Sequence, residues 1–167
     1  GVLFFSGNDG NFGTELMKSD GTLGGTLVVK DIVPGSGGSN PSNLTDVNGT
    51  LFFRTNDGAT GVELWKSDGT DPGTVLVKDI NPGASSSSPS NLVNVNGTLF
   101  FNATDANGTE LWTSDGTAGG TVLVKDIRTG TLDSNIAGTL PGILANVNGT
   151  VFFRADDGVN GQELWKS

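Results

Sequence analysis

The fold is decided by residues 51–67, which read LFFRTNDGATGVELWKS. Two apolar runs, Leu51-Phe52-Phe53 and Leu64-Trp65, flank a segment rich in Asn, Asp, Gly and Thr, residue types that favour turns. Neither run is long enough for an independent helix. The stretch therefore predicts two short strands joined by a turn.

This stretch recurs along the whole chain. The second phenylalanine of the aromatic run returns at steps of 48, 48 and 52 residues, and a Glu-Leu-Trp run follows it each time, with Met in place of Trp in the first copy. The aromatic runs are Leu3-Phe4-Phe5, Leu51-Phe52-Phe53, Leu99-Phe100-Phe101 and Val151-Phe152-Phe153. A fixed period of this size is the signature of a repeat architecture.

Two further apolar runs complete each repeat. The third is typified by Val75–Asp79 and the fourth by Asn91–Val95; the last copy of the fourth run is Ile143–Val147. Asn-Gly pairs such as Asn48-Gly49 tolerate positive φ at both positions, so they predict a tight hairpin between a fourth run and the next aromatic run. Asp-Gly pairs such as Asp68-Gly69 predict a similar hairpin after the Glu-Leu-Trp run.

The repeats predict an all-β fold built from tandem, four-stranded antiparallel units of about 48 residues, the size of a β-propeller blade. Consecutive apolar residues in Leu51-Phe52-Phe53 must point to both faces of their sheet, so both faces need cover. Stacking between neighbouring blades supplies that cover. A β-solenoid is the alternative architecture, although its coils usually repeat over fewer residues.

The motifs divide the chain into repeat units 1–48, 49–96, 97–148 and a partial unit 149–167. Counting the four run types predicts fourteen strands, or about three and a half blades, in a single repeat array. The first and last strand types are not complementary for ring closure. We therefore expect the array to be part of a longer chain, or one that other chains complete.

The run Glu63-Leu64-Trp65-Lys66-Ser67-Asp68-Gly69-Thr70 resembles the ELWxxDGT repeat of large secreted or surface-attached bacterial proteins. The resemblance extends over essentially the whole chain, with Met17 as a departure and the last copy ending at Ser167. It implies an extracellular, propeller-like repeat module with a role in adhesion or binding. It provides no catalytic residues to transfer.

The composition excludes several kinds of chemistry. The 167 residues include 18 Asp and Glu against 9 Lys and Arg, a net charge of −9, and no His, Cys or Tyr. Catalytic triads, Cys-His pairs and the usual zinc sites are therefore excluded. The acidic surplus opposes binding to nucleic acid or anionic lipid. No apolar run approaches the roughly 18 residues of a spanning helix, so no membrane insertion is expected.

Carboxylates are the remaining candidates for chemistry. A glycan hydrolase needs only two of them, but the glutamates Glu15, Glu63, Glu110 and Glu163 recur with the period and so favour a structural role. Glu63 and Trp65 share a strand face. We expect Glu63 to be partly buried beside Trp65 and paired with Lys78 or with backbone amides, because an unpaired buried carboxylate is costly.

The loop between the first and second strand of each unit is acidic. It contains Asp9, Asp57, Asp105 and Asp157, one in each unit. Carboxylate, amide and carbonyl oxygens suit Ca²⁺, so these aspartates are candidate calcium ligands, although the spacing is not that of an EF-hand. Asp-Gly pairs are also ordinary turn residues, and capping of the loop is the alternative role.

Together these features predict a secreted or cell-surface repeat module that binds or adheres and is not an enzyme. Its expected partners are an extracellular glycan or protein, or further copies of itself. No cofactor is required, with calcium as the one candidate. The alternatives are a structural subunit of an extracellular filament or surface layer, and a carboxylate-dependent glycan hydrolase.

Overall fold

The computed structural model describes residues 1–130, 134 and 144–167, and all regular secondary structure in them is β-strand. The all-β prediction is confirmed, and fourteen strands lie within the described residues. Ile143, predicted to begin the last fourth run, lies outside them. The strands are β1 (Leu3–Asn8), β2 (Thr14–Ser19), β3 (Leu27–Lys30), β4 (Ser42–Val47), β5 (Thr50–Asn56), β6 (Val62–Ser67), β7 (Val75–Lys78), β8 (Ser90–Val95), β9 (Thr98–Asp105), β10 (Gly108–Ser114), β11 (Val122–Lys125), β12 (Ala145–Val147), β13 (Thr150–Asp156) and β14 (Gln162–Lys166).

The strands form four antiparallel sheets. Within each sheet, strands that lie side by side are consecutive in the sequence. The first sheet contains β1–β3, the second β4–β7, the third β8–β11 and the fourth β12–β14. The boundary between units 1–48 and 49–96 falls inside the hairpin that joins β4 to β5. Each of the last three sheets therefore takes its first strand from the preceding sequence unit.

The hairpins before the aromatic strands form as predicted. Asn48 and Gly49 have φ values of 53° and 85°, and Asn96 and Gly97 have 52° and 87°. Positive φ at both central residues matches the twist of the two strands that the turn joins, which is why Asn-Gly is found there. The tight turn fixes the pairing of Val47 with Thr50.

The prediction of a tight hairpin at Asp68-Gly69 is wrong. The connection between β6 and β7 runs over residues 68–74, and only its Gly69 has a positive φ. The Asp68 carboxylate accepts hydrogen bonds from Thr70 N at 2.8 Å and Thr70 Oγ1 at 2.7 Å, which stabilises a wider loop. An aspartate that caps its own loop competes with the two-residue turn.

Both faces of the aromatic strands of the second and third sheets are covered, as predicted, whereas Leu3 of the first sheet is exposed. In the second sheet, Phe53 and Trp65 pack toward Leu16 of the first sheet, while Phe52 and Leu64 pack toward the third sheet. A third buried cluster, which includes Leu111 and Val151, lies between the third and fourth sheets. The core is therefore a series of apolar layers between sheets that stack face to face in sequence order.

Polar contacts set the spacing of these layers. Lys18 donates to the carbonyl of Gly69 at 2.7 Å, and Lys66 makes the equivalent bond to Gly116 at 2.8 Å. The first strands of the second and third sheets, β4 and β8, are also in contact. Asn94 Nδ2 of β8 donates to Asp46 O of β4 at 3.2 Å. No helix in the described part of the chain could cross a bilayer.

Candidate functional site

In the first three sheets the recurrent glutamate is fully buried. Glu63 is 0% exposed and lies on β6. Ile80 N donates to its Oε2 at 3.0 Å and Ser87 N to its Oε1 at 2.7 Å, and the Ser87 hydroxyl also donates to Oε2. The Glu63 side chain thus ties the loop after β7 back onto its own sheet.

The predicted burial of Glu63 and its pairing with backbone amides are confirmed, but pairing with Lys78 is wrong. Lys78 Nζ extends to the third sheet, where it donates to Thr121 O at 2.7 Å and lies 5.6 Å from the centroid of the Trp112 ring. The peptide N–H groups are already fixed in place by the loop. They solvate the carboxylate without burying a second charge.

The same arrangement recurs in two other sheets and is missing from the last. Glu15 accepts from Ser39 N at 3.0 Å, and Glu110 accepts from Ser134 N at 3.1 Å. Both glutamates are 0% exposed. Glu163 is exposed and lies on β14, an edge strand of the fourth sheet.

Burial raises the pKa of Glu63 above its ordinary value; the Ser87 hydroxyl and the amides oppose the shift, and the nearby Asp79 adds to it. Burial likewise raises the pKa of Glu110. A carboxyl group with a raised pKa can serve as a general acid when a substrate reaches it. These two are enclosed, and protein donors occupy both of their oxygens.

The predicted calcium ligands lie apart, one in each sheet. In the second sheet, Asp57 Oδ1 accepts from Ala59 N at 2.8 Å and from Thr60 N at 2.7 Å. The other three aspartates likewise accept hydrogen bonds from backbone amides of their own loops: Asp9, Asp105 and Asp157. Within the described residues no group of three or more His, Cys, Asp or Glu side chains is placed to hold a metal.

These amide hydrogen bonds lower the pKa of three of the loop aspartates, Asp9, Asp57 and Asp157. The amides of Asn11 and Phe12 lower the pKa of Asp9. For Asp57, burial alone would raise the pKa, but the amides of Thr60 and Ala59 outweigh it and the pKa is lowered. Capping of the loop amides accounts for the positions of these aspartates, while calcium binding stays a prediction from the sequence.

A polar cavity of about 300 Å³ beside β5 offers a different kind of site. Arg54 projects into it and donates its Nε to Ser42 Oγ at 3.0 Å. Among the described residues, no hydrogen-bond partner occupies the two terminal nitrogens of the guanidinium. The remaining lining consists of hydroxyl and amide side chains and one valine: Ser39, Asn40, Thr55, Asn56, Val62 and Ser88.

Sequence analysis missed Arg54 because it concentrated on residues that recur. The position after the second phenylalanine is Ser6, Arg54, Asn102 and Arg154 in the successive sheets. The residue thus varies while its neighbours are periodic. A position that varies within an otherwise periodic strand is one where the fold does not require a particular residue. Such variation is the sequence signal that could have drawn attention to Arg54.

Two other cavities are lined mostly by recurrent residues. One of about 230 Å³ contains Lys66, whose ammonium is engaged by Gly116 O. The other, of about 400 Å³, lies between equivalent segments of the second and third sheets, residues 43–45 and 90–92. Of these three cavities in the described part of the chain, the Arg54 cavity is the one whose cation has nitrogens without a hydrogen-bond partner.

We expect Glu63→Gln to lower the free energy of unfolding by about 1–3 kcal/mol, since the side-chain amide NH₂ cannot accept and leaves a buried backbone N–H without a partner. Urea denaturation measures this loss. Glu163→Gln is the matched control, because Glu163 is exposed, and should change stability by less than about 0.5 kcal/mol. Equal losses in the two variants would contradict a structural role for the buried carboxylate.

The same variant isolates the pH dependence of this group. Since the folded-state pKa of Glu63 is raised above 4.5, the folded chain binds more protons than the unfolded chain between these two values. This contribution to stability is complete below pH 4.5 and is lost as the pH rises. The free energy of unfolding of the wild type minus that of Glu63→Gln should therefore be larger at pH 4.5 than at pH 7. A difference that grows with pH would contradict the raised pKa.

We expect Asp57→Ala to lower the free energy of unfolding by about 0.5–1 kcal/mol, because two loop amides lose their acceptor. Asp57→Asn retains Oδ1 and should retain most of the stability. If capping is the role, the loss is the same with calcium as with EDTA. A calcium-dependent rise in Tm that Asp57→Ala abolishes would instead establish the calcium site predicted from the sequence.

No protein-family model matches the chain, and no curated protein or solved structure matches it either. The likeness to ELWxxDGT repeats therefore rests on the sequence motifs alone.

Proposed function

We propose that the chain is a non-enzymatic binding module of an extracellular protein, that its stacked sheets are blades of a β-propeller, and that the Arg54 cavity binds an acidic sugar residue. The observation that carries the proposal is the guanidinium of Arg54 in a cavity otherwise lined by neutral hydroxyl and amide groups.

The absence of catalysis is supported by the positions of the recurrent carboxylates. The best candidates for acid or base chemistry, Glu15, Glu63 and Glu110, are 0% exposed and hydrogen bonded to loop amides. A glycoside hydrolase needs two carboxyl groups that flank a bound sugar across a gap of roughly 5 to 10 Å. Enclosed side chains cannot reach a substrate, so a structural role accounts for their recurrence.

Propeller blades are favoured over a β-solenoid by the way the sheets are built. Each sheet consists of strands that are adjacent in the sequence, whereas a solenoid pairs strands from successive coils. The first strands of the last three sheets also meet, β4 with β8 and β8 with β12. A Cβ at Gly97 would lie 2.4 Å from Asn48 Nδ2, so successive hairpins touch. Blades whose inner edges converge on an axis have this arrangement.

The extracellular location rests on the resemblance of the repeats to those of secreted and surface-attached proteins. The chain contains no Cys, so the packing between sheets must provide its stability without disulfides. A surface rich in loops on such a scaffold is where recognition residues are usually found. The Arg54 cavity lies where the segment before β4 and the segment before β8 approach β5.

The chemistry of the cavity indicates a sugar acid. A guanidinium presents parallel N–H groups that match a carboxylate, and this pairing gives specificity as well as affinity. The exposed side chains of Asn40, Asn56 and Ser88 can donate and accept, as the hydroxyls of a sugar ring do, whereas the hydroxyls of Ser39 and Thr55 are buried and already donate to protein acceptors. A volume of about 300 Å³ is at the small end of ligand pockets and suits a single ring.

We expect isothermal titration calorimetry to detect binding of a tetramer of galacturonic acid and at least about tenfold weaker binding of a tetramer of galactose. Arg54→Gln should weaken binding of the acidic tetramer by about tenfold or more. Arg128→Gln is the matched control, because it makes the same change in net charge outside the cavity.

Binding of the acidic tetramer that Arg54→Gln leaves unchanged, or that Arg128→Gln weakens equally, would contradict this site. Arg54→Lys separates charge from geometry. The lysine keeps the positive charge but cannot pair with both carboxylate oxygens, so we expect an affinity between those of the wild type and Arg54→Gln.

A further inference from the structure

A second cavity adjoins the Arg54 cavity where the second and third sheets meet. It measures about 400 Å³ and is lined by two equivalent segments, residues 43–45 of β4 and residues 90–92 of β8; we call it the β4–β8 cavity. We propose that it binds a neutral sugar residue that is linked to the acidic residue in the Arg54 cavity. This inference rests on the proposed function of the Arg54 cavity and specifies its ligand further.

The linings of the two cavities follow one another along both segments. Ser42 lines the Arg54 cavity, and the next residue, Asn43, lines the β4–β8 cavity. On the third sheet, Ser88 lines the first cavity and Ser90 lines the second. Because consecutive Cα atoms are only about 3.8 Å apart, adjacent residues of one oligosaccharide can occupy the two cavities together.

A hydrogen bond crosses between the two segments at the junction of the cavities. Asn43 Nδ2 donates to Pro89 O at 3.3 Å, and Pro89 lies between the two serines that line the two cavities on the third sheet. Asn43 is exposed, so this bond lies at the surface. The linkage between two sugar residues can therefore pass over the bond without breaking it.

Each segment contains a β-bulge. The pairing of β4 with β5 shifts by one residue before Thr45, and the pairing of β8 with β9 shifts in the same way before Val93. Asn43 and Asn91 have φ values of 56° and 53°, in the left-handed region that Asn tolerates better than most residues. A bulge leaves the extra residue outside the ladder and changes the direction of its side chain. The bulges thus place the two asparagines beside the cavity.

The polar side chains of this lining retain capacity for a ligand. Within the described part of the chain, no hydrogen bond occupies the side chains of Ser90 and Asn91. Thr45 Oγ1 donates to Asn43 O at 3.2 Å and retains its capacity to accept. These hydroxyl and amide groups both donate and accept, as the hydroxyls of a sugar ring do.

Two leucines supply the apolar part of the lining. Leu44 and Leu92 are half-buried, and each also packs against the buried core beside its own sheet. Their positions are therefore fixed before a ligand arrives. A sugar ring presents C–H groups as well as hydroxyls, and a cavity of about 400 Å³ with polar and apolar walls suits one ring.

The charges around the β4–β8 cavity indicate a neutral sugar. The six side chains that line it are uncharged, whereas the Arg54 cavity contains a guanidinium. A second carboxylate would lose hydration here without gaining a cationic partner. The exposed Asp46, which follows Thr45 in β4, would also repel it. The expected ligand is a glycan in which an acidic residue is linked to a neutral one.

NMR titration of the ¹⁵N-labelled chain tests the proposal with three ligands. They are the methyl glycoside of galacturonic acid, a disaccharide of galacturonic acid and galactose in each order of linkage, and digalacturonic acid. The mixed disaccharide, in at least one order, should bind at least about tenfold more tightly than the monosaccharide, because its second contact is intramolecular. Digalacturonic acid should bind at least about threefold more weakly than the mixed disaccharide. The Arg54 Nε–H signal should shift with every ligand, and the Asn91 side-chain amide signal with the disaccharides only.

Two substitutions remove single groups from the lining. Asn91→Gly retains the positive φ and deletes the amide, so it should weaken binding of the mixed disaccharide about fivefold and leave binding of the monosaccharide unchanged. Asn148→Gly is the matched control, because Asn148 has a φ of 50°, is exposed and lies outside both cavities. Thr45→Val should act as Asn91→Gly does. The equivalent residue of the third sheet is Val93, so the fold accepts valine at this position.

The outcomes separate this inference from the function on which it rests. If the monosaccharide shifts the Arg54 signal but the mixed disaccharide binds no more tightly, the β4–β8 cavity is not a sugar site and the Arg54 site stands. A tenfold gain that neither Asn91→Gly nor Thr45→Val reduces would place the second sugar elsewhere. Tighter binding of digalacturonic acid than of the mixed disaccharide would overturn the assignment of a neutral residue. If no ligand shifts the Arg54 signal, the proposed function and this inference both fail.

Discussion

The constraint on which the rest of the structure depends is that the aromatic strands are apolar on both faces. Phe52 and Phe53 point in opposite directions, so no single sheet can bury both without a neighbour on each side. Stacking of sheets is then required for stability, and each new sheet covers its predecessor and exposes its own outer face. Stability of this kind is roughly additive along the array, because each sheet interacts only with its neighbours.

The buried glutamates hold the long loop after the third strand against its own sheet. Without them, backbone donors of that loop would be left unpaired beside the core. Glu63 accepts two of these donors and the Ser87 hydroxyl. A carboxylate can do this for a loop of irregular shape because both of its oxygens accept from several directions. The recurrent carboxylates are thus directed inward, where they bind the backbone of their own repeat.

Much of the fold followed from local rules that act in the same way wherever the sequence recurs. Strand type, the Asn-Gly turns and two-sided burial depend only on residue periodicity and on φ preferences, so Phe53 and Asn48 could be placed correctly. The partner of Glu63 and the cavity at Arg54 depend on segments that are distant in the sequence. The width of the Asp68 loop depends on local hydrogen bonds between Asp68 and Thr70, which the Asp-Gly pair alone does not reveal. Periodicity contains no information about which of several available donors a carboxylate will meet.

The hairpin at Asn48 and Gly49 crosses the boundary between two sequence units, so the stretch that is copied in the sequence differs from the body that folds. A duplication that adds residues 49–96 contributes three strands to one sheet and the opening strand of the next. Each duplicated unit therefore needs the unit before it to supply the first strand of its sheet. Recombination at the loop after β7 would instead exchange complete sheets, and lineages that gain or lose sheets should carry their breakpoints there.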